Sequence, residues 1–119
     1  MQLTPFHLAI QVRDIDEARE FYGNKMGLSE GRSAADWIDF NLFGHQLVTH
    51  LNPQLGKNGK VANISNGVDG HGVPVPHFGV VLNFDDWESL SKTVSAFVDS
   101  FIIEPYIRFK GETGEQGTM

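Results

Sequence analysis

The most regular pattern in the chain is an alternation that occurs twice. In Pro5-Phe6-His7-Leu8-Ala9-Ile10-Gln11-Val12, the residues Phe6, Leu8, Ile10 and Val12 fall on one face of a strand, and His7, Ala9 and Gln11 on the other. Val75-Pro76-His77-Phe78-Gly79-Val80-Val81-Leu82 repeats the design, with Phe78, Val80 and Leu82 on one face and His77, Gly79 and Val81 on the other. The two histidines are 70 residues apart. The pattern predicts two copies of one unit, facing each other across whatever the histidines hold.

Between the repeats the elements follow in order. Asp14 has the position of a helix N-cap, and Glu17, three residues on, has the spacing of a capping box. Ile15, Ala18, Tyr22 and Met26 recur at steps of three or four, as one face of a helix, and Gly27 is placed to end it. Leu28 to Arg32 is a weak strand. Trp37 to Phe43 alternates cleanly, and His45 to Leu51 follows at the short turn signal Phe43-Gly44-His45, so these two are predicted to pair as an antiparallel hairpin. The first unit, residues 4–51, is therefore strand, helix and three strands.

Residues 52–74 hold Gly56, Gly59, Gly67, Gly70 and Gly72 with Pro53 and Pro74, and are expected to form a long connection without a core of their own. The second unit, residues 75–119, has its strand from Pro76 to about Asn83. A helix capped by Asp85 and Glu88 comes next, with the stripe Trp87, Leu90, Val94, Phe97, Val98 and Phe101. A strand from Ile102 to Phe109 follows, with Tyr106 and Arg108 on one face. In the first unit His50 lies 43 residues after His7; the same step from His77 runs past Met119. By this internal symmetry the second unit is expected to lack about two strands.

Composition narrows the function classes. A chain of 119 residues, 40% hydrophobic and 20% charged, is expected to be one ordinary globular domain. A formal net charge of −6 with no basic cluster argues against a nucleic-acid partner. There is no cysteine, which excludes a disulfide, a thiolate ligand or a cysteine nucleophile. No signal-peptide pattern and no membrane-spanning run is present, so no membrane partner is expected and the cytoplasm is the default location.

Chemistry rests on three histidines. His7, His50 and His77 each lie opposite a run of core-type residues, and imidazoles gathered from separate strands suit Zn, Ni, Mn or Fe(II). His45, beside a turn, and His71, in the Gly-rich stretch, read as solvated. Trp37, Asp39 and Asn41 share the face opposite Ile38, Phe40 and Leu42 and are candidate substrate contacts. Arg108 could hold a substrate carboxylate in its planar fork. No phosphate-binding glycine loop or serine-nucleophile motif occurs, and no catalytic acid, base or nucleophile is assigned.

The repeated strand–helix–three-strand unit, the histidine heading each first strand and the D-x-x-E helix start together resemble the vicinal oxygen chelate superfamily. That superfamily contains glyoxalase I, extradiol dioxygenases, methylmalonyl-CoA epimerase and the bleomycin- and fosfomycin-resistance proteins. The resemblance implies an α+β fold of two βαβββ units forming a cupped mixed sheet, the second unit incomplete at its C-terminal end. It also implies a divalent metal (Fe, Ni, Zn or Mn) ligated by His7, His50 and His77. His50 stands where glyoxalase I-like members carry Glu or Gln. The carboxylate usual on the last strand of the second unit has no counterpart before Met119.

The function so implied is a metal-dependent small-molecule enzyme of glyoxalase or extradiol-dioxygenase type, chelating its substrate through vicinal oxygens. The alternative is a metal-free protein that sequesters a small molecule, as the drug-resistance branch does. Unfinished sheet edges would invite pairing with a second copy, so a homodimer is expected.

Overall fold

The computed structural model describes all residues 1–119. The chain divides into two compact units, residues 1–62 and 63–119. No helix is long and apolar enough to cross a membrane.

Unit 1 is built on β1 (His7–Val12), β2 (Glu30–Ala34), β3 (Trp37–Leu42) and β4 (His45–Leu51), in the sheet order β1-β4-β3-β2. The last three strands form an antiparallel meander, whereas β1 runs parallel to β4. A parallel pair needs a crossover rather than a tight turn. The helical segment after β1 begins that crossover, and the meander brings β4 back beside β1. The predicted hairpin turn is present: Phe43 (φ 52°) and Gly44 (φ 92°) are both left-handed, as a two-residue turn matched to strand twist requires. The β2 strand starts at Glu30, two residues later than its weak sequence signal.

The helix begins as its cap predicts. Asp14 is extended, and its carboxylate accepts the Glu17 N–H at 2.8 Å. Glu17 does not complete the capping box, because its carboxylate is taken by Arg13 Nε at 3.0 Å. Only Ile15–Ala18 is α-helical (α1); Arg19–Lys25 continues as a wider π-helix, in which Met26 N–H reaches back to Phe21 C=O. Gly27 (φ 76°) lets the chain turn so that Leu28 N–H bonds Tyr22 C=O.

One face of the sheet is the core. Ile38, Phe40, Leu47 and Thr49 are 1% exposed or less. Cross-strand pairing stacks Ile38 on Thr49 and Phe40 on Leu47, with Leu8 and Ile10 of β1 in the next column. Ala18, Leu28 and the Tyr22 ring cover this face, Tyr22 lying 5.6 Å from Phe40 between ring centroids. Burial holds the Tyr22 hydroxyl above its ordinary pKa. The buried Thr49 hydroxyl donates to Ile38 C=O, so no polar group is stranded there.

Unit 2 departs from the predicted repeat in four places. Residues within the expected linker form a hairpin, β5 (Ile64–Val68) paired with β6 (His71–Val75). Its turn is Asp69-Gly70, both at positive φ, which is a strong short-range hairpin signal hidden inside a Gly-rich composition. Residues 76–83, predicted as a strand, are irregular. They find no ladder partner in the unit, whereas β1 owes its regularity to β4. The helix α2 (Phe84–Ser95) is capped two residues before the predicted cap: Asn83 is extended and its side-chain Oδ1 accepts Asp86 N–H at 2.9 Å. Phe97, Val98 and Phe101, predicted on its stripe, lie beyond its end. Of the last predicted strand only Tyr106–Arg108 (β7) pairs, with Gln116–Thr118 (β8). Gly117 is required there, because a Cβ would overlap the Trp87 ring of α2.

Two outcomes test this account of unit 1. Leu47→Ala removes a fully buried side chain from the sheet's centre and should cost about 3 kcal/mol in urea unfolding. Arg19 Nε donates to Glu30 at 3.0 Å, and this bond holds the Glu30 carboxyl below its ordinary value of 4.5. A depressed carboxylate contributes stability that is present above its unfolded pKa and is lost as pH falls through the folded one. The wild type should therefore lose stability below about pH 4.5, and Arg19→Gln should flatten that part of the curve, discounted for the pair's solvent exposure.

Candidate functional site

The sheet face opposite the core carries the polar side chains that alternation predicted. Cross-strand register lines them up in rows. His7 stands beside Gln46, and Gln46 beside Asn41; Ala9 stands beside Val48, and Val48 beside Asp39; Gln11 stands beside His50, and His50 beside Trp37. Val48, 4% exposed, is the apolar floor between the two polar rows.

At the first row the side chains form a relay. Gln46 Nε2 donates to Asp39 Oδ2 at 3.3 Å, which turns the amide oxygen toward His7. His7 Nδ1 lies 2.6 Å from that oxygen and must be the donor. The proton is thereby placed on Nδ1, and Nε2 keeps its lone pair. This is the arrangement found behind metal-bound histidines, where a hydrogen bond to the other ring nitrogen sets the tautomer and the ring direction.

Unit 2 treats its own histidine the same way. His77 Nδ1 lies 2.7 Å from Pro74 C=O, an oxygen that can only accept. Nε2 of His77 is again the free nitrogen. The partner differs, a backbone carbonyl in place of an amide side chain, but the tautomer is the same. An imidazole presenting Nε2 is a donor of the kind that borderline divalent ions such as Zn, Ni or Fe(II) accept.

His50 is not brought to His7. They occupy rows four residues apart, about 13 Å along parallel strands, and both project from the same face, so their rings do not converge. The first-row neighbour of His7 is Gln46 instead. Within unit 1 no three imidazole or carboxylate side chains gather closely enough to hold an ion by themselves. The sequence signal for Gln46 was available, since it shares the alternation of β4 with His50. Only the parallel register shows which of the two lies beside His7.

The other predicted contacts divide as well. Asp39 orients Gln46. Asn41 accepts the Gly44 N–H at 2.7 Å and so serves the hairpin turn. Trp37 is half-buried, with the Arg32 guanidinium 5.8 Å over its ring. Arg108 is committed within unit 2: it is paired with Asp69 of the β5–β6 turn and lies 4.9 Å over the Phe109 ring. His45, expected to be solvated, is half-buried; its Nδ1 accepts the Phe6 N–H at 3.0 Å, fixing the approach to β1. His71 lies 5.2 Å from the Tyr106 ring in unit 2.

A mixed four-stranded sheet of βαβββ order, with a tautomer-fixed histidine at the head of its first strand, defines a class of small α+β proteins with a polar sheet face. Residues 4–105 match the family model of the Glyoxalase/Bleomycin resistance protein/Dioxygenase superfamily, and the chain belongs to that superfamily. It is similar in structure to a glyoxalase/bleomycin resistance protein/dioxygenase from Alicyclobacillus acidocaldarius. The TM-score is 0.69 at 30% sequence identity, over 95% of this chain and 77% of that one. A comparison with curated proteins returned no match.

The relay is testable without a ligand. In ¹⁵N-edited NMR of the histidine rings, His7 should show the Nδ1–H tautomer. Gln46→Leu should release it to a tautomer mixture, and Gln46→Glu, which keeps an acceptor, should retain Nδ1–H.

Proposed function

We propose that this chain is a small-molecule protein of the glyoxalase and extradiol-dioxygenase type, working with a divalent cation, with Nε2 of His7 in unit 1 and Nε2 of His77 in unit 2 each free, in its own unit, to act as a ligand. The observation that carries the reading is the shared tautomer: two histidines at repeated positions, in separate units, each donate Nδ1–H to an oxygen of their own unit. A ligand histidine gains direction and basicity from such a bond.

When bound, the cation would act as a Lewis acid toward a substrate that chelates it through two neighbouring oxygens. The chain's own residues do the rest. Gln46 and Asp39 hold the His7 ring in place. Val48 and Ala9 leave a low, partly apolar floor beside it, and Trp37 offers a flat surface further along the same face. The polar face thus supplies a place for a substrate next to the metal ligand rather than around it.

A second reading, sequestration of a small molecule without metal, draws on a different observation: unit 1 does not gather three ionisable ligands of its own. The two readings separate in one experiment. Titration of the metal-free protein with Zn, Ni, Mn and Fe(II), followed by thermal shift and calorimetry, should show binding to the wild type, since a ligand of the native state raises its melting temperature. His7→Ala and His77→Ala should each weaken that binding at least about tenfold, the range expected when a positioned ligand is lost. Cation affinity unchanged in both variants, or no cation bound at all, would replace the metal-dependent reading with the sequestration one.

A further inference from the structure

The second polar row of the sheet face has no part in holding His7, and its chemistry is of one kind. Gln11 of β1, His50 of β4 and Trp37 of β3 stand side by side, and Arg32 reaches over the Trp37 ring from β2. The Gln11 carbonyl oxygen is occupied, since Asn52 Nδ2 donates to it at 2.7 Å. Its NH₂ group makes no hydrogen bond with the chain. The His50 ring and the Arg32 guanidinium make no hydrogen bond or ion pair with the chain either. In a protein of net charge −6, this row collects N–H donors around an indole face. The carboxylate next along the face, Asp39, is bonded to Gln46 in the relay.

We propose that this row is a recognition subsite for the carboxylate of a planar aromatic acid. The inference rests on the reading that the face takes a small molecule, and it names the class of that molecule. A flat ring stacks beside Trp37, where Ala34, paired with Trp37 across the β2–β3 ladder, adds little bulk. The carboxylate meets the Arg32 fork and the N–H groups of Gln11 and His50, a set of charge-assisted donors with planar geometry. His50 thus serves the ligand's anionic end, at the distance from His7 that the register imposes. About 13 Å of strand separates the two rows, so a ligand using both places its acid group remote from the histidine that heads β1.

Benzoate and its neutral isostere benzamide are the probes. Each is titrated into the full-length chain and followed by two-dimensional NMR. Benzoate should shift the Trp37 indole N–H, the Gln11 side-chain amide and the backbone amides of residues 49–51, and should bind about tenfold or more tightly than benzamide. Arg32→Gln and His50→Leu should each weaken benzoate about tenfold, while His50→Gln, which keeps an N–H donor, should retain most of the affinity. Dispersed spectra of the variants report that they are folded. Equal affinity for acid and amide, shifts confined to other residues, or undiminished binding to His50→Leu would overturn the inference. The cation titration is read separately. Selective benzoate binding in a chain that takes up no cation would uphold the subsite and remove the metal reading. Cation binding at His7 with no preference for the acid would do the reverse.

Discussion

The parallel ladder between β1 and β4 is the constraint on which unit 1 depends. Each of its six rungs sets a residue of the first strand beside one of the last, so the segment between them must leave the sheet, cross as a helix and return. It also fixes which polar residues become neighbours. Slipping this pairing by two residues would preserve the inward and outward faces and would still destroy the contact between His7 and Gln46. Alternation alone does not exclude such a slip. The apolar-side columns Leu8–Leu47 and Ile10–Thr49, half-buried on β1 and buried on β4, and the Phe6 amide bound to His45, select the observed register.

Unit 2 shows what the same pattern does without that ladder. Residues 77–82 repeat the alternation of β1, yet they are irregular, and Val81 is fully exposed. A strand is completed by its neighbour, because an extended segment with unpaired N–H and C=O groups gains little over other conformations. The elements of unit 2 that do form are those with local support: an Asp-Gly hairpin, a helix with an asparagine cap, and a short strand pair packed on Trp87 through Gly117. His77 keeps its orientation nonetheless, since its partner is a carbonyl three residues away rather than a cross-strand side chain.

In the proposed reading, the two rows of the polar face divide the work between chemistry and recognition. A relay of side-chain hydrogen bonds holds His7 with one nitrogen protonated and the other bare. The row beyond it leaves its donors unspent. Buried polar groups are normally satisfied, but exposed donors gathered on one rung without acceptors are available to a ligand at small desolvation cost. Val48 between the rows separates them without adding a competing polar atom.

Much of unit 1 was legible in the residues themselves. Binary alternation placed β1, β3 and β4, the Asp14 cap placed the helix start, and the Phe43-Gly44-His45 turn signal placed the hairpin, because each depends on contacts between near neighbours in sequence. The same logic set His7, His50, Trp37 and Asp39 opposite the core-type residues of their own strands. Alternation identifies a face but carries no information on register, so the sequence could not say that Gln46 rather than His50 stands beside His7. Nor could it show that Arg108 was already paired with Asp69, or that residues 76–83 would find no partner. Those outcomes depend on pairings between residues distant in the chain, and only the tertiary structure, by choosing one register among several that satisfy the same hydrophobic pattern, decided them.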